Sequence, residues 1–150
     1  MKRLQNLSNL NRYLRDFSLP QYPRGVKCSY VTSQADATSL LDKCAGKQVL
    51  LARPELRQTG EGDSFSDVID TAVFVLAKDL GAAKTQEKEN ALFDELEGIA
   101  DDILSKIDCD LTSGSCSLLP GFSIDEVIVT PEIQIFGSWC GYSLAITFRR

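Results

Sequence analysis

TQEKENALFDELEGIADDILSKI, residues 85–107, decides how this chain is read. Leu92, Leu96, Ile99, Ile103 and Ile107 recur at steps of three and four, the spacing that brings side chains onto one stripe of an α-helix. Phe93, Ala100 and Leu104 widen the stripe, and charged residues fill the opposite side. Thr85 can cap the first turn, where Glu87 and Glu89 meet the positive end of the helix dipole. One side of such a helix is too apolar for water, so it must lie on a sheet or on another helix. Upstream, Val49–Ala52 is an apolar run that Pro54 places near an edge or a bulge. Gly60–Asp63 has turn chemistry. Val68–Ala77 alternates Ile69, Val73 and Val75 with Ala72, Phe74 and Leu76, the two-sided pattern of a strand covered on both faces. Downstream, residues 108–121 read as a polar loop and 122–135 as an extended run interrupted by Pro131. Residues 136–142 then make a turn or bulge, and Leu144, Ile146 and Phe148 alternate in a last strand. The order over these hundred residues is strand–strand–helix–strand–strand. It predicts an α+β domain with an antiparallel or mixed sheet of four or more strands and the long helix packed on it.

The remaining residues frame this core. Leu4, Leu7, Leu10, Leu14 and Phe17 share one stripe of an N-terminal helix, ended by Pro20 and Pro23. Val26–Thr32 reads as a short strand and Ala35–Cys44 as a brief helix closed by Gly46. This divides the chain into a basic arm and linker, residues 1–25, and a single α+β domain, residues 26–150.

Charge follows the same division. The 150 residues carry a net charge of −5, with 43% apolar and 25% charged residues, ordinary values for a globular domain. Residues 1–27 hold Lys2, Arg3, Arg12, Arg15, Arg24 and Lys27 against Asp16 alone, whereas 85–110 hold nine acids against Lys88 and Lys106. A basic arm with an apolar stripe can dock on a neighbour's acidic helix, which makes Leu7, Leu10, Arg12, Leu14, Arg15 and Phe17 candidate interface residues. The alternative is that the helix folds back on its own sheet. Trp139 and Tyr142 suit an interface anchor and core packing equally well. An acidic helix repels phosphates, which disfavours nucleic-acid binding by the body.

Catalytic chemistry finds little footing. There is no histidine, so the five cysteines lack the usual partner of a thiolate nucleophile. Cys109 and Cys116 lack the close pairing of a zinc knuckle. Glu97 and Asp101 lie one helical turn apart on the charged side, as a solvated acidic face would have them. Neither Gly60–Gly62 nor Gly137–Gly141 carries the Lys-Ser/Thr of a phosphate loop or opens a helix. No enzyme activity, cofactor or metal is expected. No apolar run approaches the roughly 20 residues of a membrane helix, and the N-terminus is too polar for a secretion signal. Free thiols in the cytosol are the expectation, with Cys44 and Cys140 largely buried and Cys109 and Cys116 in a loop.

Residues 48–150 resemble the tail-terminator (tail-completion) proteins of long-tailed bacteriophages, which related contractile particles also use. The likeness lies in order: a helix, then VLLARPEL (49–56), a polar turn, DVIDTAVFVLA (67–77), a helix of this length, and an aromatic–glycine approach to a terminal apolar alternation in WCGYSLAITF (139–148). The basic segment 1–27 and the loop 108–121 depart from the compact family outline. They leave open another phage neck or head–tail joining component, or a non-viral cytosolic protein-binding domain. The resemblance implies a homo-oligomeric ring, usually six-fold, that caps the tail tube, ends its polymerisation and meets the head connector. DNA would pass through it unbound. Such a protein is assembled in the bacterial cytoplasm and ends in the tail or neck of the virion, with no membrane stage.

Overall fold

The computed structural model describes residues 2–22, 26–60, 66–112 and 119–150, with side chains from Gln5 onward. Three helices, α1 (Lys2–Arg15), α2 (Gln34–Leu41) and α3 (Gln86–Thr112), accompany six strands. The strands are β1 (Val26–Val31), β2 (Lys47–Ala52), β3 (Glu55–Thr59), β4 (Ser66–Lys78), β5 (Ser123–Ile135) and β6 (Trp139–Arg149). They form one mixed sheet in the order β1-β2-β4-β6-β5, with β3 also paired to β4. Only β1 and β2 run parallel, and every other pairing is antiparallel. The protein is therefore α+β, with its long helix on the sheet.

Alternation along the strands separates two faces. The front face carries Val49 and Leu51 of β2, Ile69, Val73 and Val75 of β4, and Leu144, Ile146 and Phe148 of β6, all buried in one cluster. The stripe read from residues 85–107 closes on it: Leu96, Ile99, Ala100, Ile103 and Ile107 are buried. Thr85 caps α3 as its position suggests, its Oγ1 accepting from the Lys88 amide at 3.2 Å. The helix continues through residue 112, so Cys109 is an exposed helical residue and not part of a loop. Cys116 lies outside the described residues.

The reverse face is covered only in part. There α2 buries Ala37 and Leu41 against Val31, Leu50, Leu76 and Trp139. Ser33 caps α2 by accepting from the Asp36 amide, while the Asp36 carboxylate accepts from the Thr32 amide at 3.0 Å. This reciprocal pair fixes the start of a helix that ends at Leu41, earlier than its sequence suggests, and leaves Cys44 half-buried. Cys140 is buried as expected.

Pro54 stands where the chain breaks between β2 and β3, both of which pair with the same side of β4. A proline cannot donate to a ladder, so it interrupts there. The Glu55–Thr59 strand was not separable in the sequence from the run before it. Of the Gly60–Asp63 turn, only Gly60 is described; it adopts φ 119°. Pro131 does not interrupt its strand: β5 continues through it, with irregular register between Ile124 and Glu126 and again between Glu132 and Ile135. Residues 139–142, expected in a turn or bulge, already belong to β6. Gly141 explains why the ladder is so close there. It has φ 150°, and a Cβ on it would meet the Val75 carbonyl oxygen at 2.0 Å.

Candidate functional site

The surfaces that distinguish this protein are the two ends of its sheet. At one end, among the described residues, β5 has β6 as its sole neighbour. An edge strand presents unpaired N–H and C=O groups along its outer side. On β5 that edge is also apolar, with Ile128 53%, Val129 50% and Ile133 66% exposed. Val129 and Val127 pair with Leu144 and Ile146 and so face front, while Ile128 and Thr130 pair with Ala145 and Ser143 on the reverse face. Both faces of one strand are thus apolar and wet. Asp125, Glu126 and Glu132 supply its charge, all acidic. Asp125 pairs with Arg149 at 3.2 Å, and Glu132 accepts from the Ser143 hydroxyl at 2.9 Å.

The tip joining β5 to β6 is held under backbone strain. Gln134 and Phe136 have φ of 56° and 51°, in the left-handed region that ordinarily suits glycine. Each costs about 1–3 kcal/mol, which the surroundings must offset. Phe136 packs edge-to-face on Phe74 with centroids 5.2 Å apart. Together with Val31, Ala37, Ala72 and Arg53 these rings line a hollow of about 400 Å³ on the reverse face, beside α2.

At the other end, β1 has β2 alone beside it among the described residues. Val26, Cys28 and Tyr30 face front against the core, while Lys27 shares the reverse side with its partner Gln48. A cleft of about 670 Å³ opens beside β1, bounded by residues 17–22 and 43–48, with Lys27, Lys43 and Lys47 among its lining and no acid. Lys47 is bound to Glu95 at 3.0 Å. Gln48 lies in the wall, buried. Its Nε2 donates to the Ala45 carbonyl at 3.0 Å, and its Oε1 has no partner among the described residues. Burial pushes the Cys28 thiol pKa up, which disfavours its thiolate.

The residues singled out in the sequence as an interface are distributed differently. Leu10, Leu14 and Phe17 are 0%, 1% and 6% exposed, sunk in the chain's own front-face core beside Ile103 and Ile107, with Leu7 half-buried against it. The N-terminal helix is not a free arm in this conformation. It lies over β1 and β2 while α3 lies over β4, β6 and β5. The acidic helix attracts it within the chain: Tyr13 donates to Asp110, Tyr22 to Asp102, and Lys106 stands 5.7 Å over the Phe17 ring. The bond to Asp102 raises the Tyr22 pKa above its ordinary value, with burial adding to the shift. Arg12 and Arg15 remain exposed. Trp139 is 2% exposed, with the Lys78 ammonium 5.9 Å from its ring, so it is a packing residue and not an exposed anchor. Tyr142 is half-buried, edge-to-face with Phe93 at 5.3 Å.

The exposed trio on β5 was not singled out in the sequence. Its signal was present in Pro131, because a proline inside a strand-like run marks an edge, the reasoning applied to Pro54. Among the described residues, no group of three or more His, Cys, Asp or Glu could hold a metal ion. No described helix is long and apolar enough to cross a membrane. The fold and its surfaces define an α+β protein whose mixed sheet is, among the described residues, open at both ends. In comparison with known proteins, no family model and no curated protein matches the chain.

Proposed function

We propose that this protein is a structural assembly subunit of the phage tail-terminator kind. Copies join head to tail into a ring that caps the tail tube, ends its polymerisation and meets the head connector in the neck of the particle. The observation that carries this reading is the apolar edge of β5: three large aliphatic residues, on both faces of one strand, are half or more exposed. An exposed apolar edge is an aggregation hazard that a monomer would be expected to blunt, and a defined partner removes it. A contact between two different patches repeats from copy to copy and closes into a ring when its rotation allows. DNA passes through such a ring unbound, and the acidic exposed side of α3 suits a wall that does not hold phosphates.

Sedimentation velocity on the purified chain, beside electron micrographs of particles made without its gene, tests the proposal. A closed oligomer and tails of uncontrolled length are expected. A monomer at every concentration, or particles of normal tail length without the protein, would refute it. Complete tails that fail to join heads would instead identify another neck component.

A further inference from the structure

We infer that the subunit contact is made by β5 of one copy adding to β1 of the next, so that the sheet continues from copy to copy. This deepens the ring reading and rests on it.

Four observations converge. Both strands end the sheet, and no backbone–backbone hydrogen bond from a described loop covers the outer side of either. Their directions agree: β1 and β2 run one way, β4 the other, β6 with β2, and β5 with β4. Copies set side by side in the same orientation therefore bring β5 antiparallel to β1, the more stable of the two pairings. Face parity agrees as well. With Tyr30 opposite Val129, Cys28 meets Pro131 on the front face, where the core already lies. On the reverse face Ser29 meets Thr130, Val31 meets Ile128, and Lys27 meets Glu132. Apolar and polar positions then match across the seam.

Charge selects this pairing over the symmetric ones. The described part of β5 has acids and no base, while β1 has Lys27 and no acid, with Lys43 and Lys47 in the adjoining cleft. Two β5 edges would bring together strands that carry only acids, and two β1 edges strands whose one charge is a lysine, so neither can place opposite charges across the seam. Like charges directly opposed on a sheet are destabilising. Pro131 has no N–H to give, so the seam lacks one main-chain bond at Cys28. That absence also guards β5 against pairing with arbitrary strands. A contact in which opposite edges meet has different patches on its two sides, as ring closure requires.

The test is a charge exchange in the full chain, read by sedimentation velocity. Lys27→Glu and Glu132→Lys should each weaken association about fivefold or more, the effect of losing an exposed pair worth up to about 1 kcal/mol and gaining repulsion. The two together should restore much of it. A second variant, Ser29→Cys with Thr130→Cys, should form a disulfide between copies under mild oxidation, because the two positions oppose each other across the seam. Within one copy they occupy opposite ends of the sheet. Wild-type oligomers that ignore the charge reversals and yield no such link would overturn this inference while leaving the ring reading intact. A wild-type chain that is monomeric throughout would overturn both.

Discussion

Removing residues 1–17 should unfold the monomer and not merely release an arm. Leu10 and Leu14 are 0% and 1% exposed, and Phe17 is 6%. A buried leucine cut to alanine costs about 2–5 kcal/mol and a phenylalanine about 3–5 kcal/mol, so the three together represent roughly 7–15 kcal/mol. Total stabilities of single domains are about 5–15 kcal/mol, so losing this helix consumes most or all of the margin. The hydrogen bond from Tyr13 to Asp110 adds to the loss, because that acid sits on α3 and its partner leaves with α1. The graded version is Leu14→Ala. With a urea slope of about 2 kcal/mol per molar, a loss of 2–5 kcal/mol lowers the unfolding midpoint by about 1–2.5 M. Urea titration followed by circular dichroism reads this directly, with sizing chromatography alongside. A truncated chain that elutes as a folded monomer with an unchanged midpoint would show α1 to be a detachable arm, and the reasoning from burial would fail.

Three further outcomes follow from single sites. Gly141→Ala should destabilise by about 3 kcal/mol or more, since the new Cβ meets backbone at 2.0 Å where no side chain can yield; thermal melting with a wild-type-like value would contradict it. The Asp70 pKa is held below its ordinary 3.8, chiefly by the Arg57 guanidinium at 2.6 Å, with help from the Thr147 hydroxyl. Its stabilising contribution is complete above that ordinary value and disappears as pH falls through the lower folded one, so Asp70→Asn should flatten the fall in melting temperature on the acid side of 3.8, less so in high salt, which screens this half-exposed pair. Tyr22, whose pKa is raised above 10.0 first by its bond to Asp102, behaves oppositely: stability is complete below 10.0 and is lost as pH climbs through the folded value. Tyr22→Phe should therefore remove part of the alkaline loss, and an unchanged alkaline melting profile would show that the bond contributes nothing.

Local pattern carried the reading a long way. The stripe of α3 and the two-sided alternation of β4 are visible in sequence because residues three, four or two apart are held together by the secondary structure itself. Ile99, Ile103, Val73 and Val75 are buried for that reason, and Thr85 caps its helix because the cap is a contact between residues three apart. The apolar stripe of α1 was equally visible, yet the stripe says only that one side must be covered. Whether a neighbour or the chain's own sheet covers it depends on contacts such as Tyr13 with Asp110, almost a hundred residues apart, which no local pattern encodes.

The sequence by itself determined the order of the long helix and the main strands (though not where each ends), which of their sides are apolar, and that the charge divides between a basic start and an acidic helix. Tertiary structure decided that β1 lies parallel to β2 at one end of the sheet, that β5, which Pro131 fits for an edge, forms the other end, and that Trp139 is packed away while Ile128, Val129 and Ile133 meet water. The physical reason is that strand order and edge position arise from pairings between distant segments. A strand's periodicity is the same at the centre of a sheet as at its rim; only the presence or absence of a second neighbour distinguishes them.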